Sequence, residues 1–214
     1  MNNKIFKTAL CLTLSAFAIS ASAQKKYSEG VVTLNVKAQG TTVETKSYFT
    51  ADSTAYAFSA GPASVKLVSN TESTFFAVLV DIPVAGRKIA AVATPAEIED
   101  GLSKIPAFTF TKTEEAQVIS GFNCKKVVAK DVTSGKSYDV WVTNDIAIPP
   151  SATEKYYAKA GGFPIQFTAF QMGKETGVTV TSVSDQKPPK GTFTISKDYT
   201  RISMSDLAAM NGGN

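Results

Sequence analysis

The sequence predicts a mainly β fold: one curved antiparallel sheet, an open or half barrel, with two or three short covering helices. Three observations carry that expectation. Apolar and polar residues alternate in pairs, as in Val32, Leu34 and Val36 against Thr33, Asn35 and Lys37, which is the spacing of a half-buried strand. β-branched and aromatic residues recur through these runs, and Gly, Pro and Asn punctuate them. About a dozen such runs are too many for a flat sheet, so the sheet should curl.

In order along the chain, the alternation over Val32–Lys37 marks a strand, and further strands are expected at 42–50, 54–59, where Tyr56 and Phe58 share a face, and 64–69, where Val65 and Leu67 do. Phe75 to Ile82 is apolar on both faces and reads as a strand covered on both sides. Lys88 to Ala93 continues the set. Thr94-Pro95-Ala96-Glu97 is a helix start, a threonine cap with glutamate three residues on and proline at the first helical position. Ile98, Leu102 and Ile105 then fall on one face, and Gly101 costs that helix about 1 kcal/mol, so it should depend on packing.

Strands resume at 107–113, 117–122, 124–131 and 137–143, with Thr133-Ser134-Gly135-Lys136 as a hairpin turn. After Pro149-Pro150, Ser151-Ala152-Thr153-Glu154 repeats the capping logic and predicts a short helix carrying Tyr156 and Tyr157, ending at Gly161-Gly162. Strands at 163–172, 177–184 and 192–196 follow, then a short helix from Met204 to Met210 capped by Ser203.

Residues 1–23 read as an export signal. Lys4 and Lys7 precede an apolar run from Thr8 to Ile19, too short for a bilayer span, and Ala21-Ser22-Ala23 supplies small residues for cleavage before Gln24. The expectation is therefore a signal peptide over 1–23 and a single β-rich domain over 24–214, located in the periplasm or secreted. Cys11 follows Thr8-Ala9-Leu10 rather than the small residue of a lipoprotein signal. No later apolar run reaches transmembrane length. Cys124 is then the lone mature cysteine, without an intrachain partner, and reads as a small buried hydrophobe.

Charge and composition remove several function classes. The formal charge is +4, and removing Lys4 and Lys7 with the signal leaves +2, which does not point to nucleic acid. The sequence contains no histidine, so Ser-His-Asp and Cys-His catalysis and HExxH metal sites are excluded. No cofactor is indicated. The acidic clusters Glu97/Glu99/Asp100 and Glu114/Glu115 fall on a capped helix and in a turn, where solvated surface is the simpler reading. Lys125-Lys126 and Lys187/Lys190 read as solvated basic patches, and Asp145 as closing a turn.

Three segments resemble a known family. Val118-Ile119-Ser120-Gly121-Phe122-Asn123-Cys124-Lys125-Lys126, then Tyr138-Asp139-Val140-Trp141-Val142-Thr143-Asn144-Asp145-Ile146, then Gly161-Gly162-Phe163-Pro164-Ile165 are similar to successive motifs of secreted Gram-negative envelope proteins. The ending Lys197-Asp198-Tyr199-Thr200-Arg201-Ile202-Ser203-Met204 resembles the close of a related domain. The resemblance covers roughly residues 117–210 and is to the GLPGLI-related domains of unknown function. Ile165-Gln166 and Asp198 depart from the narrower branch and fit the broader one. The resemblance implies a fold similar to periplasmic lipoprotein carriers of the LolA/LolB type, whose half barrel holds acyl chains under a helical lid.

A ligand groove for acyl chains needs apolar walls and little directional chemistry, worth about 25 cal/mol per Å² buried. Phe108 and Phe110 share a face, as do Phe163, Ile165 and Phe167, while Phe122 and Trp141 sit in neighbouring strands. These seven are the candidate ligand-binding residues, with core packing against the helices as the competing reading. The function expected is a non-enzymatic exported protein that binds a lipid or acyl chain. The alternative is an envelope structural or interaction module with a protein partner and a self-filled core.

Overall fold

The computed structural model describes residues 24–38, 40–152, 155–171 and 174–211. The expected signal segment and part of the second capping motif (Thr153, Glu154) lie outside them. The strands are β1 (Lys25–Lys26), β2 (Gly30–Ala38), β3 (Thr41–Phe49), β4 (Ser53–Ala60), β5 (Ala63–Asn70), β6 (Phe76–Ile82) and β7 (Arg87–Val92). They continue with β8 (Phe108–Ile119), β9 (Phe122–Asp131), β10 (Ser137–Thr143), β11 (Ile146–Ala147), β12 (Phe163–Gln171), β13 (Lys174–Ser184) and β14 (Thr200–Ile202). The helices are α1 (Pro95–Ser103) and α2 (Met204–Asn211).

Twelve of the strands form one mainly antiparallel sheet in the order β14-β7-β6-β5-β4-β3-β2-β13-β12-β10-β9-β8. The remaining two, β1 and β11, pair in parallel beside it. The sheet is curved and does not close, which is the predicted open half barrel. Chain geometry requires the curvature. In a flat sheet, β7 and β8 would stand ten spacings apart, about 48 Å. Residues 93–107 join them, and with nine of those in a helix they reach under about 40 Å.

Register places the side chains. One face carries the row Val32, Ser47, Tyr56, Leu67, Val78, Ala91 and Ile202, each directly paired with the next across β2, β3, β4, β5, β6, β7 and β14. A second row on that face runs Phe58, Val65, Val80, Ile89 and Thr200. Further along the sheet the same face presents Phe167, Val178 and Val36, again paired in sequence. The opposite face of β4–β7 carries Ala55, Val68, Ala77, Leu79 and Ala90, buried beneath Phe193, Ile195 and Tyr199.

That covering segment differs from expectation. Thr192-Phe193-Thr194-Ile195 alternates like a strand, yet the Thr192 N–H donates to the Pro189 carbonyl (3.1 Å) and the Thr194 N–H to that of Gly191 (3.3 Å). Pro188 and Pro189 have no N–H to give a ladder, so the chain turns instead, and Phe193 and Ile195 still reach the sheet. The two strands expected at 107–113 and 117–122 are one, β8, with a register shift between Lys112 and Ala116. The Thr113 hydroxyl donates to the Lys126 carbonyl at 3.1 Å across that irregularity.

The helix starts follow the sequence. Thr94 Oγ1 accepts from the Glu97 N–H, and the Glu97 carboxylate accepts from the Thr94 N–H at 2.7 Å. None of the α1 residues is fully buried, and the reciprocal Thr94–Glu97 cap anchors the start of the helix. Ser203 and Asp206 cap α2 reciprocally. The helix expected to carry Tyr156 and Tyr157 is instead two 3-10 turns, Pro150–Ala152 and Lys155–Tyr157. At its end Gly161 has φ +87°, and a Cβ on Gly162 would stand 2.8 Å from the Thr143 carbonyl oxygen. Glycine is needed at both positions, for conformation at the first and close approach at the second.

Candidate functional site

The seven residues expected to line a ligand groove are divided between two faces. Phe108, Phe110 and Phe167 meet around Tyr157, which is fully buried. Phe108 stacks on Tyr157 at 5.7 Å between centroids and 8° between planes, while Phe167 and Phe110 meet its ring edgewise at 5.5 and 6.4 Å. The Tyr157 hydroxyl donates to the Thr168 carbonyl at 2.7 Å. Tyr138, Tyr156 and Phe170 complete this aromatic packing. Tyr157 therefore fills this half of the face with the protein's own rings.

Phe122 and Trp141 lie on the other face. Trp141 pairs with Lys126 while Val140 pairs with Val127, so Trp141 points away from the Tyr157 cluster. Both are half-buried against a core cluster that contains Cys124, Phe163 and Ile165, the last fully buried. Cys124 Sγ–H donates to the Phe122 carbonyl at 3.4 Å, and burial pushes its thiol above the usual range.

The surface left without such filling lies on β4–β7. Phe58, Val65, Leu67 and Val80 are half-buried and adjacent on the first face, and none belongs to the three buried clusters. Two segments flank this strip. On one side, residues 148–152 lead from β11 to β4, where the Thr54 hydroxyl donates to the Ser151 carbonyl and the Ser151 hydroxyl donates to the Thr50 carbonyl at 2.5 Å. On the other side, α2 packs beside β7. There, a groove of about 780 Å³ is lined by the apolar Ile89, Ile202 and Met210 and by the charged Arg87, Lys88, Asp81 and Asp198.

Ser47 stands in the row that runs through Leu67. It is buried to 1% exposure, and its hydroxyl has no hydrogen-bond partner among the described residues. No sequence pattern singled out this strip or Ser47, because Val, Leu and Ser in alternating strands look alike whether covered or open.

The charged groups form surface pairs. Lys88 bridges Asp198 at 2.7 Å and Asp81 at 3.6 Å, and this hydrogen bond holds the Asp198 carboxyl at about 2. Glu115 and Asp139 both face Lys126 at 3.0 Å, and Asp100 pairs with Lys104 at 2.5 Å. The Asp145 carboxylate accepts from the Asn123 backbone N–H at 2.7 Å and its side-chain amide at 3.1 Å, so it ties the link after β10 to β9 rather than closing a local turn as expected. Among the described residues, no group of three or more Cys, Asp or Glu side chains is placed to hold a metal ion, and no helix is long and apolar enough to cross a membrane.

No protein-family model matches the chain, and no curated protein matches it. Solved structures that share the architecture include PNGF-II in a C2 and in a P21 space group, with TM-scores of 0.50 and 0.51 at 17% identity. The alignments cover 85% and 86% of this chain but 32% and 33% of the PNGF-II chains. The chain thus spans about a third of the length of PNGF-II, and at this identity the likeness shows the fold alone.

Proposed function

We propose that this chain is an exported, non-enzymatic envelope protein, related to the GLPGLI-type domains, that holds a lipid or acyl chain against the first face of its curved sheet. The carrying observation is the strip Phe58, Val65, Leu67 and Val80, adjacent and half-buried, between the 148–152 segment and α2. Contiguous apolar surface of this kind costs free energy while it faces water and is relieved by an apolar guest, about 25 cal/mol per Å² covered. The signal-like residues 1–23 and the absence of histidine from the sequence support export and a non-catalytic role.

The site differs in position from the aromatic set that the sequence suggested. Tyr157 occupies the space beside Phe108, Phe110 and Phe167, which favours the self-filled reading for that half. The ligand reading attaches to β4–β7.

Titrating delipidated protein with a fluorescent fatty acid tests it. Saturable binding is expected, lost in the double variant Leu67→Gln/Val80→Gln and retained in Phe122→Leu on the other face. Absence of saturable binding, together with stable co-purification of a partner chain, would instead favour an envelope interaction module.

A further inference from the structure

Arg87 opens β7 directly opposite Ile82, two residues from Ile89 along the strand, so its side chain leaves the sheet on the same face as Val80 and Ile89. It is exposed and has no ion pair among the described residues. Its neighbour Lys88 leaves by the opposite face and is held there by Asp198 and Asp81, the two carboxylates of the groove. The apolar row from Phe58 through Val65 and Val80 to Ile89 spans three strand spacings, about 14 Å. It runs into the groove of about 780 Å³ that Arg87 borders.

Resting on the apolar-ligand reading above, we infer that the ligand is an anionic amphiphile. Its chain lies along the Phe58–Ile89 row and its carboxylate or phosphate head sits at Arg87. A guanidinium on the rim of an apolar strip presents paired N–H donors to such a head group, while the apolar row accepts whatever chain follows. Asp81 and Asp198 are engaged by Lys88 across the strand, which leaves Arg87 as the cation available to the ligand.

The test measures dissociation constants by calorimetry, at low ionic strength, for dodecanoate, for the neutral monododecanoyl glycerol and for inorganic phosphate. Wild type should prefer dodecanoate over the neutral ester by about fivefold, the yield of an exposed charge pair, and the preference should shrink as salt is added. Arg87→Gln, a change on an exposed hairpin end, should abolish the preference while leaving the affinity for the neutral ester unchanged. A preference that survives in Arg87→Gln, or none in wild type, overturns the inference and leaves the apolar-ligand reading standing. Failure of the neutral ester to bind at all removes that reading and the inference with it. Phosphate bound as tightly as dodecanoate would show a free-anion site and overturn the amphiphile assignment, whereas much weaker phosphate binding supports it.

Discussion

Removing the Tyr157 ring should cost more than any other single truncation in the aromatic half. Its side chain is fully buried, and its ring meets Phe108, Phe110, Tyr156 and Phe167. A buried aromatic side chain hides about 200 Å², which at about 25 cal/mol per Å² sets an upper figure near 5 kcal/mol. Tyr157→Ala should therefore lower the unfolding free energy by about 3–5 kcal/mol. Tyr157→Phe keeps the ring and loses the bond to the Thr168 carbonyl, at a cost of about 1 kcal/mol. Urea unfolding followed by far-ultraviolet dichroism measures both. Coupling with Phe108→Ala in a double-mutant cycle should be about 0.5–3 kcal/mol, since the rings are stacked. A Tyr157→Ala cost below about 1 kcal/mol, with an unchanged denaturant slope, would refute the claim that this residue fills the aromatic half of the face.

Further expectations follow from single groups. Ser47→Ala removes a buried hydroxyl with no partner among the described residues, so stability should be unchanged or rise by up to about 1 kcal/mol, and a loss above that would show that the hydroxyl is satisfied. Cys124, 2% exposed with its thiol pushed up by burial, should resist Ellman's reagent in the native protein and react once unfolded; rapid native reaction contradicts its burial. The Asp198 carboxyl, lowered from 3.8 to about 2 by its bond to Lys88, stabilises the fold fully above pH ~4 and loses that contribution as the pH falls towards 2. Asp198→Asn should flatten this part of the acid unfolding profile, and an identical profile would remove the Lys88 pair from the account.

The fold was legible because the strands obey local rules. Val32/Leu34/Val36 alternation, the Thr94–Glu97 cap and the Thr133–Lys136 turn, which the Asp131 carboxylate braces by accepting from the Thr133 and Ser134 N–H groups, are each written within a few residues. Thr192–Ile195 misleads because a turn can send alternate residues to one side, and period two does not distinguish that from a strand. The site was far less legible. Phe108 and Tyr157 are 49 positions apart in the sequence, and their stacking depends on the strand order of the finished sheet. The strip on β4–β7 is composed of the same residue types as the core, and its exposure depends on the 148–152 segment lying beside it and the 185–199 segment crossing the opposite face. Neither placement is encoded near Phe58 or Leu67.

Photo-crosslinking with a diazirine-bearing fatty acid, followed by peptide mapping, tests the central claim most directly. Adducts should concentrate on residues 56–67 and 78–89. Adducts confined to the Phe108, Phe110 and Phe167 region, or scattered over both faces without saturation, would contradict a guest held on that strip.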